Sequence, residues 1–274
     1  MVVNFGDVPA LTASYRSAQP FPFILMEHFV DDDVAREVAA AYPTFQEAGK
    51  LGFAFNAVNE RKKIQITDSN LFPEPVERLH QAVSSPEFVA TLSTITGIPN
   101  LMADRHLFGA GMHMTGPHGR LDVHVDFNLL EIDNQRLYRR LNLLLYLNPT
   151  WNEAWGGEIE LWNRDVTMCA QSYAPVMGRC LIFETSGISL HGVAPLKCPP
   201  NEVRRSFAAY YYTLEPPPNY EGVDHSTIFK GRPDEKFRSK VLMPAERLQR
   251  RATAGLRTVY WKTRGLVRRL MFWR

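Results

Sequence analysis

Three residues of this sequence have the chemistry and the spacing of a metal site: His124, Asp126 and His191. In the tripeptide His124-Val-Asp126 an imidazole and a carboxylate stand two positions apart, so on a β-strand both side chains point to the same face. His191 lies on a later predicted strand and is the candidate third ligand. Two imidazoles and one carboxylate are the donor set of mononuclear iron(II) sites that keep coordination positions open. The sequence therefore predicts such a site on one face of a sheet.

An arginine and a tyrosine on other predicted strands are suited to bind an acid beside this metal. Arg205 opens the predicted strand Arg205–Thr213, and a guanidinium can hold a carboxylate through two parallel charge-assisted hydrogen bonds. The neighbouring Arg204 is the alternative. Tyr146 has the strand parity of Asn142, so its phenol can donate to the same carboxylate. Asn142 has two interpretations, a contact to a bound cosubstrate or a core amide satisfied by the protein.

The elements that would position these residues change in character near residue 100. Before it, caps, prolines and apolar periodicity predict a strand at Phe21–Met26 and helices that begin near Asp31, Pro73 and Pro86. One further strand is predicted at Lys63–Thr67. After it, the predicted strands are Leu101–Thr115, Leu121–Leu130, Arg139–Leu147, Gly157–Trp162, Arg179–Glu184, Leu190–Pro195 and Arg205–Thr213, with turn signals that include Gly116-Pro117. This order predicts an α+β fold, a sandwich or barrel with helices packed along one side.

Five sequence motifs follow one another in an order that has a known counterpart. They are His124-Val-Asp-Phe-Asn128, Arg140-Leu-Asn-Leu-Leu-Leu-Tyr-Leu-Asn148, Trp155-Gly-Gly-Glu-Ile-Glu-Leu161, Leu190-His-Gly-Val-Ala-Pro195 and Arg205–Tyr212. In this order they resemble the 2-oxoglutarate/iron(II) dioxygenases, in particular the prolyl 4-hydroxylase-like branch. The resemblance covers about residues 101–213. It implies a double-stranded β-helix core of the jelly-roll or cupin-like type, with N-terminal packing helices and a C-terminal basic helix.

The resemblance also implies a role for each matching residue. Carried over by position, the iron ligands would be His124, Asp126 and His191, and the 2-oxoglutarate contacts would be Arg205, Tyr146 and Asn142. The family pattern favours Arg205 because it directly precedes Ser206. The implied cofactors are Fe(II), 2-oxoglutarate and dioxygen, with ascorbate as a candidate reductant. The implied reaction is hydroxylation of an unactivated C–H bond with release of succinate and carbon dioxide, because halogenating relatives carry a small residue in place of Asp126.

The substrate class stays open at the level of sequence. A prolyl residue in a protein, a small molecule, and a glycan or lipid intermediate are all compatible with the resemblance. The alternative from another class is a non-catalytic barrel that binds a ligand and is targeted by its tail. A decayed site would be expected to have lost at least one of its motif residues, so the intact set favours an enzyme. The oligomeric state is not indicated by the sequence.

The charge distribution separates the last 29 residues from the rest of the chain. The net charge of the 274 residues is +2, and residues 246–274 hold nine Lys/Arg against one acid, a net +8 that leaves −6 for the remainder. Aromatic and apolar residues among these charges are typical of a surface-lying amphipathic helix, so we expect peripheral contact with an anionic membrane. Docking on the protein's own acidic surface or on a second subunit is the alternative. Because that surface is acidic and no base-reading module is present, no nucleic-acid partner is expected.

Composition and the remaining motifs set limits on the location and the organisation of the protein. Cys169, Cys180 and Cys198 form no CxxC pair, which favours a reducing compartment. Met1–Pro20 lacks a secretory pattern, and no apolar run approaches the ~18 residues of a membrane span. We therefore expect a cytoplasmic protein, peripheral at the inner membrane face if the tail binds there. The predicted segments are residues 1–100 (packing elements), 101–215 (the core), 216–245 (a covering segment) and 246–274 (the tail).

Several other polar and aromatic residues have both a functional and a structural interpretation. His113 and His118 precede the predicted metal strand and could line a pocket, although most such histidines are hydrogen-bonded structural residues. His225 is expected to anchor a loop. Tryptophans around the Gly156-Gly157 turn could stack on a ring of the substrate or pack at the barrel rim.

Overall fold

The structure is a computed structural model that describes residues 3–132, 134–218, 220 and 222–245. These residues divide into two compact units, one that ends at Lys230 and one that begins at Gly231. The helices are α1 (Val8–Ser17), α2 (Asp32–Ala40), α3 (Phe45–Leu51), α4 (Glu74–Ser84) and α5 (Pro86–Thr96). The strands are β1 (Phe23–Met26), β2 (Phe53–Asn56), β3 (Glu60–Ile66), β4 (Met102–Ala103), β5 (Gly111–Val125), β6 (Leu129–Ile132), β7 (Gln135–Tyr146), β8 (Ile159–Trp162), β9 (Cys169–Tyr173), β10 (Cys180–Glu184), β11 (His191–Val193), β12 (Arg204–Thr213) and β13 (Ile228–Phe229).

Strand β5 belongs to both halves of one curled antiparallel sheet. Among the described residues thirteen strands join this sheet, and its main path runs β1-β10-β7-β12-β5-β11-β8-β9. The first half of β5, Gly111–Thr115, pairs with β12, whereas Leu121 and His124 in its second half pair with β11. Side chains from both halves line a single interior cavity. The predicted α+β fold with a β-rich core is therefore confirmed.

The predicted turn at Gly116-Pro117 is wrong, because β5 continues through it. Partner strands hold this stretch extended: Thr115 pairs with Lys63 of β3 on one side and with Arg204 of β12 on the other. The dipeptide produces an irregularity rather than a reversal, and the pairing of β3 with β5 shifts register between Arg61 and Lys63. His118 has φ +60° at this irregularity. Local turn propensity is thus overridden by pairing on both edges of the strand.

The helices cover the outer face of the part of the sheet that contains β12. Residues of β12 on this face pack into the main apolar core: the ring of Phe207 lies 6.1 Å from that of Phe72, and Tyr211 stacks on Phe88 of α5 at 6.1 Å. The phenol of Tyr211 donates to the carbonyl oxygen of Val83 at the end of α4 (2.8 Å). Alternate residues of β12 therefore face the helices, and those between them face the interior of the sheet.

Sequence patterns located some helices and missed others. The helices predicted near Asp31, Pro73 and Pro86 are observed as α2, α4 and α5. Helices α1 and α3 and strands β2, β6 and β9 were not predicted. The start of α3 does carry a readable signal, because Thr44 and Glu47 form a capping box.

The boundaries of the chain's segments and its tail stay predictions. The structure describes residues 216–245 only in part, with β13 and a π-helical turn at Arg238–Leu242. The predicted helix at residues 246–274 lies outside the described residues. In the part of the chain that is described, no helix combines the length and the apolar character needed to cross a bilayer. All three cysteines are free thiols.

Candidate active site

The structure brings the three predicted metal ligands, His124, Asp126 and His191, together as the ligand triad. His124 is near the end of β5, Asp126 directly follows that strand, and His191 begins β11 as the cross-strand partner of His124. One donor atom from each residue lies within 4.8 Å of the other two. The Nε2 atoms of His124 and His191 are 3.4 Å and 3.6 Å from the two carboxylate oxygens of Asp126. All three side chains are largely removed from solvent.

Both imidazoles of the ligand triad are oriented by the backbone two residues before them. The Nδ1 atom of His124 lies 2.9 Å from the carbonyl oxygen of Asp122, and that of His191 lies 3.0 Å from the carbonyl oxygen of Ser189. A carbonyl oxygen only accepts hydrogen bonds, so each Nδ1 carries the proton and each Nε2 keeps a free lone pair. Both Nε2 lone pairs are therefore available to a metal, and the hydrogen bond from Nδ1 fixes the orientation of each ring.

The electrostatic surroundings keep Asp126 and His191 in the form that binds a cation. Burial lowers the pKa of His191 to about 3, so its imidazole is neutral at physiological pH. Burial alone would raise the pKa of Asp126, but the Arg139 guanidinium and the two histidines outweigh burial and hold that pKa well below its usual range. Neutral imidazoles and an ionised carboxylate are the metal-binding forms of these groups. The ligand triad therefore fits a divalent metal such as iron(II).

Beside the ligand triad lies a cavity of about 70 Å³, called here the metal cavity. The register of β12 against its neighbouring strands determines which residues of β12 line this cavity. On β12, Arg204 pairs with Thr115 and Ser206 pairs with both His113 and Tyr146. Arg204 and Ser206 alternate along β12 and so share one face, which lines the metal cavity.

The structure places Arg204, rather than Arg205, on the wall of the metal cavity, which corrects the sequence-based preference. Arg205 shares the face of Phe207, which packs toward the helices. Burial raises the pKa of the Tyr42 phenol, and the nearby Arg205 guanidinium offsets part of that rise. The backbone N–H of Arg205 donates to Oδ1 of Asn148 (2.8 Å). Strand alternation places Arg205 with Phe207 on the face of β12 that turns away from the metal cavity.

Arg204 lies between a glycine turn and the predicted phenol. Its Nε donates to the carbonyl oxygen of Gly157 (2.7 Å), and its guanidinium carbon is 4.9 Å from the centre of the Tyr146 ring. Gly157 has φ +78°, and a Cβ there would lie 3.3 Å from the side chain of Arg204 and 3.1 Å from that of Trp151. Trp151 donates its indole N–H to Gly156 (2.9 Å). These contacts favour the packing interpretation of this tryptophan.

Two of the predicted cosubstrate contacts have polar atoms without a protein partner. Tyr146 is fully buried beside Arg204, and among the described residues its hydroxyl has no hydrogen-bond partner. Asn142 lines the metal cavity and donates from Nδ2 to Oδ2 of Asp126 (3.2 Å), while its Oδ1 is buried without a partner. Buried polar atoms are almost always hydrogen-bonded. The Tyr146 hydroxyl, a donor next to an arginine, therefore fits an acidic ligand such as 2-oxoglutarate, whereas Oδ1 of Asn142 is an acceptor and fits a donor instead.

The three other histidines that the sequence singled out, His113, His118 and His225, lie in different surroundings. His113 lines the metal cavity, with its Nε2 at 3.0 Å from the carbonyl oxygen of Gly109. Burial, and next Lys63, lower its pKa well below the usual range. His118 is exposed. The backbone N–H of His225 donates to Oδ1 of Asn128 (2.9 Å), which agrees with the expected loop anchor.

Sequence reasoning missed three cations near the ligand triad. Lys63 and Arg120 line the metal cavity, and each is paired with an acid, Glu60 (2.7 Å) and Asp122 (2.7 Å) respectively. Arg139 contacts Asp126 from behind the cavity wall. Lys63 lies on a predicted strand, but its contact depends on the register of β3 against β5, which no local pattern indicates.

Comparison with known proteins places these features in a family. Residues 110–212 match the sequence model of the 2OG-Fe(II) oxygenase superfamily. The fold is similar to that of a Pseudomonas putida prolyl-4-hydroxylase, with 16% sequence identity and a TM-score of 0.52 over 76% of this chain and 99% of that chain. It is also similar to a Trichoplax adhaerens prolyl hydroxylase in complex with a hypoxia inducible factor peptide fragment, with 16% identity and a TM-score of 0.53 over 75% of this chain and 88% of that chain. No curated protein matches the sequence.

The matched region contains the whole ligand triad together with Arg204 and Tyr146. Enzymes of this superfamily use Fe(II), 2-oxoglutarate and dioxygen, and the site has the donors that such a set requires. Both solved structures support the double-stranded β-helix architecture. Residues 110–212 therefore match the 2OG-Fe(II) oxygenase superfamily and contain the ligand triad, on a fold similar to that of prolyl hydroxylases.

Proposed function

We propose that the protein is a hydroxylase that inserts oxygen into an unactivated C–H bond while 2-oxoglutarate is converted to succinate and carbon dioxide. The observation that carries this proposal is the ligand triad, with its donor atoms within 4.8 Å, beside a cavity lined by Arg204. His124 and His191 would hold iron through Nε2, and Asp126 would hold it through its carboxylate. Bound iron and 2-oxoglutarate supply the oxidising chemistry, and the protein positions them and limits the access of water.

The roles proposed for the cavity wall follow from its charges and unpartnered atoms. Arg204 would bind the distal carboxylate of 2-oxoglutarate, in place of Arg205, and the hydroxyl of Tyr146 would donate to the same group. Asn142 offers its Oδ1 to the cavity and fixes Asp126 with its Nδ2. Since Asp126 is a carboxylate ligand, the proposed outcome is hydroxylation rather than halogenation.

For the substrate we propose a peptide, with a prolyl residue as the first candidate. An open groove of about 540 Å³, called here the outer groove, is lined by Phe108, Phe127, Leu129, Leu130 and His225 and other residues near them. One of its wall residues, Phe127, directly follows the ligand Asp126 in sequence. Apolar and aromatic walls suit a peptide segment with a ring. The peptide-bound Trichoplax adhaerens structure supports the same class; a small molecule and a glycan or lipid intermediate are the alternatives.

A succinate-release assay tests the proposed reaction and its substrate class together. The full-length protein is supplied with Fe(II), 2-oxoglutarate, ascorbate and dioxygen, and candidate peptides, metabolites and glycans are compared. The proposal predicts that succinate release is stimulated by a proline-containing peptide and that the peptide gains one oxygen atom by mass. His124→Ala should abolish both signals. Stimulation by metabolites alone would overturn the peptide class, and substrate modification without succinate would overturn the reaction.

A further inference from the structure

Arg139 is a buried arginine in contact with one oxygen of a metal ligand. Its side chain is 1% exposed, and its Nη2 lies 2.9 Å from Oδ2 of Asp126. A guanidinium is removed from water at a large cost in free energy unless it is paired, so such a residue indicates a specific requirement at this position. None of the sequence motifs or the wall of the metal cavity includes Arg139.

The geometry of Arg139 is fixed from both sides and along the main chain. Its guanidinium carbon lies 3.5 Å from the centre of the Tyr210 ring and 4.7 Å from that of the Phe127 ring, so the guanidinium is held between two aromatic residues. The backbone N–H of Arg139 donates to the carbonyl oxygen of Asn128 (3.0 Å). Side chain and backbone therefore both contact the segment that begins with Asp126.

The contacts distinguish the two oxygens of Asp126. Oδ2 has two nitrogen donors near it, Nη2 of Arg139 at 2.9 Å and Nδ2 of Asn142 at 3.2 Å. Each oxygen also lies near one ring nitrogen of the ligand triad, Oδ1 3.4 Å from Nε2 of His124 and Oδ2 3.6 Å from Nε2 of His191. The ion pair with Arg139 and the hydrogen bond from Asn142 both engage Oδ2, which makes Oδ2 a poorer metal ligand than Oδ1.

We propose that Arg139 is a positioning residue that fixes Asp126 so that only Oδ1 is presented to the metal. A carboxylate that bound the metal through one oxygen would use one coordination position and would leave the others open for the cosubstrate and dioxygen. Asn142 assists by donating a hydrogen bond to Oδ2. The inference rests on the proposed iron site, and it adds a role for a residue outside the ligand triad and outside the metal cavity.

Metal binding by the metal-free, full-length protein tests this role without turnover. Mn(II) serves as a redox-inert probe, and the free ion is measured by electron paramagnetic resonance. Arg139→Met should raise the Kd for Mn(II) by about 10- to 100-fold, the usual effect of removing a residue that orients a ligand. Arg140→Met is the matched control, because Arg140 is the next residue, is also buried, and lies near Thr213 and Glu184 instead of Asp126. It should leave the Kd within about twofold.

A spectroscopic readout separates positioning from general stability. The visible spectrum of bound Co(II) reports its coordination, so Arg139→Met should change that spectrum and Arg140→Met should not. If Arg139→Met fails to fold, Arg139→Lys carries the same test: it keeps the charge but loses the planar stack between Phe127 and Tyr210, and should still raise the Kd about tenfold. A folded Arg139 variant with wild-type Kd and Co(II) spectrum would overturn the inference alone. Wild-type protein that binds no Mn(II) would overturn the proposed iron site, and this inference with it.

Discussion

Each imidazole of the ligand triad uses the same local device to present its metal-binding nitrogen. In both cases Nδ1–H donates to the carbonyl of the residue two positions earlier, Asp122 for His124 and Ser189 for His191. The two strands are paired at these histidines, so their rings lie only 4.2 Å apart. The backbone thus selects the tautomer in the metal-free protein. This lowers the entropic cost of ordering the two rings when a metal binds.

At the residue scale, the reassignment of the 2-oxoglutarate contact from Arg205 to Arg204 can be tested by mutation. Arg204→Met should weaken 2-oxoglutarate binding about 10- to 100-fold, since charge-assisted hydrogen bonds contribute about 1.5–3 kcal/mol. Fe(II) affinity should change little, because Arg204 contacts no member of the ligand triad. Arg205→Met is the matched control, as it alters the face of β12 that is turned away from the metal cavity. Anaerobic titration of the Fe(II)-loaded variants with 2-oxoglutarate measures both constants.

The same titration can contradict the assignment. A greater loss of 2-oxoglutarate affinity for Arg205→Met than for Arg204→Met would restore the family-based choice of Arg205. Both variants should be compared at equal folded fraction, because the Nε of Arg205 is buried and its removal can alter stability independently of binding.

At the scale of elements, the turn before β8 supports the position of Arg204. Gly157 adopts φ +78°, and a Cβ at this position would lie within 3.3 Å of three side chains, those of Trp151, Arg204 and Leu196. A side chain here would be strained by its backbone conformation and would push against Arg204. The turn therefore links local backbone geometry to the proposed cosubstrate contact.

Gly157→Ala should reduce the free energy of unfolding by about 1–3 kcal/mol and weaken 2-oxoglutarate binding. Urea denaturation and the cosubstrate titration check the two effects. Gly187→Ala is the control: Gly187 is exposed, and a Cβ there meets nothing within 4 Å. It should change stability by less than about 0.5 kcal/mol. Equal stability and equal cosubstrate affinity for the two variants would refute the proposed role of this turn.

The elements also show how far sequence patterns can be followed. Helices α4 and α5 were predictable because prolines mark their starts and buried residues such as Leu79 and Leu92 recur at helical spacing. The continuity of β5 was not predictable, because Gly116-Pro117 has turn propensity and only pairing with distant strands keeps it extended. The inward face of β12 was not predictable for a related reason. Alternation defines two faces, and the neighbouring strands and helices decide which one is interior.

The metal ligands were easier to predict than the residues around them. His124 and Asp126 stand two positions apart, so any strand places them on one face, and His191 completed a known donor set. Arg139 and Lys63 belong to the site only through tertiary contacts with Asp126 and the metal cavity. Metal ligands with fixed spacing are thus visible in sequence, whereas the residues that support them depend on register and packing.

At the scale of the whole molecule, the small net charge is the sum of a basic tail and an acidic remainder. Residues 246–274 carry a net +8 and the rest of the chain −6, which together give the overall +2. The ligand triad and the cavity wall lie among residues 63–210, so this tail supplies none of the described site residues. We propose that the tail attaches the enzyme to an anionic membrane surface.

Truncation at residue 245 tests this proposal. Nine basic residues at about 1 kcal/mol each are enough for reversible binding to anionic lipid. Full-length protein should therefore sediment with phosphatidylserine-containing vesicles at low salt and be released as ionic strength rises, whereas protein lacking residues 246–274 should stay in the supernatant. Both forms should convert 2-oxoglutarate equally well. Failure of the full-length protein to sediment would exclude membrane attachment by the tail.

The central claim is that the ligand triad binds iron(II) and 2-oxoglutarate together, and anaerobic absorption spectroscopy tests it most directly. Addition of 2-oxoglutarate to the Fe(II)-loaded, full-length protein should produce a visible metal-to-ligand charge-transfer band. The band should saturate at one equivalent of 2-oxoglutarate per bound iron. The same addition to His124→Ala should produce no band. A wild-type protein without this band, or a band that survives in His124→Ala, would contradict the assignment of the site.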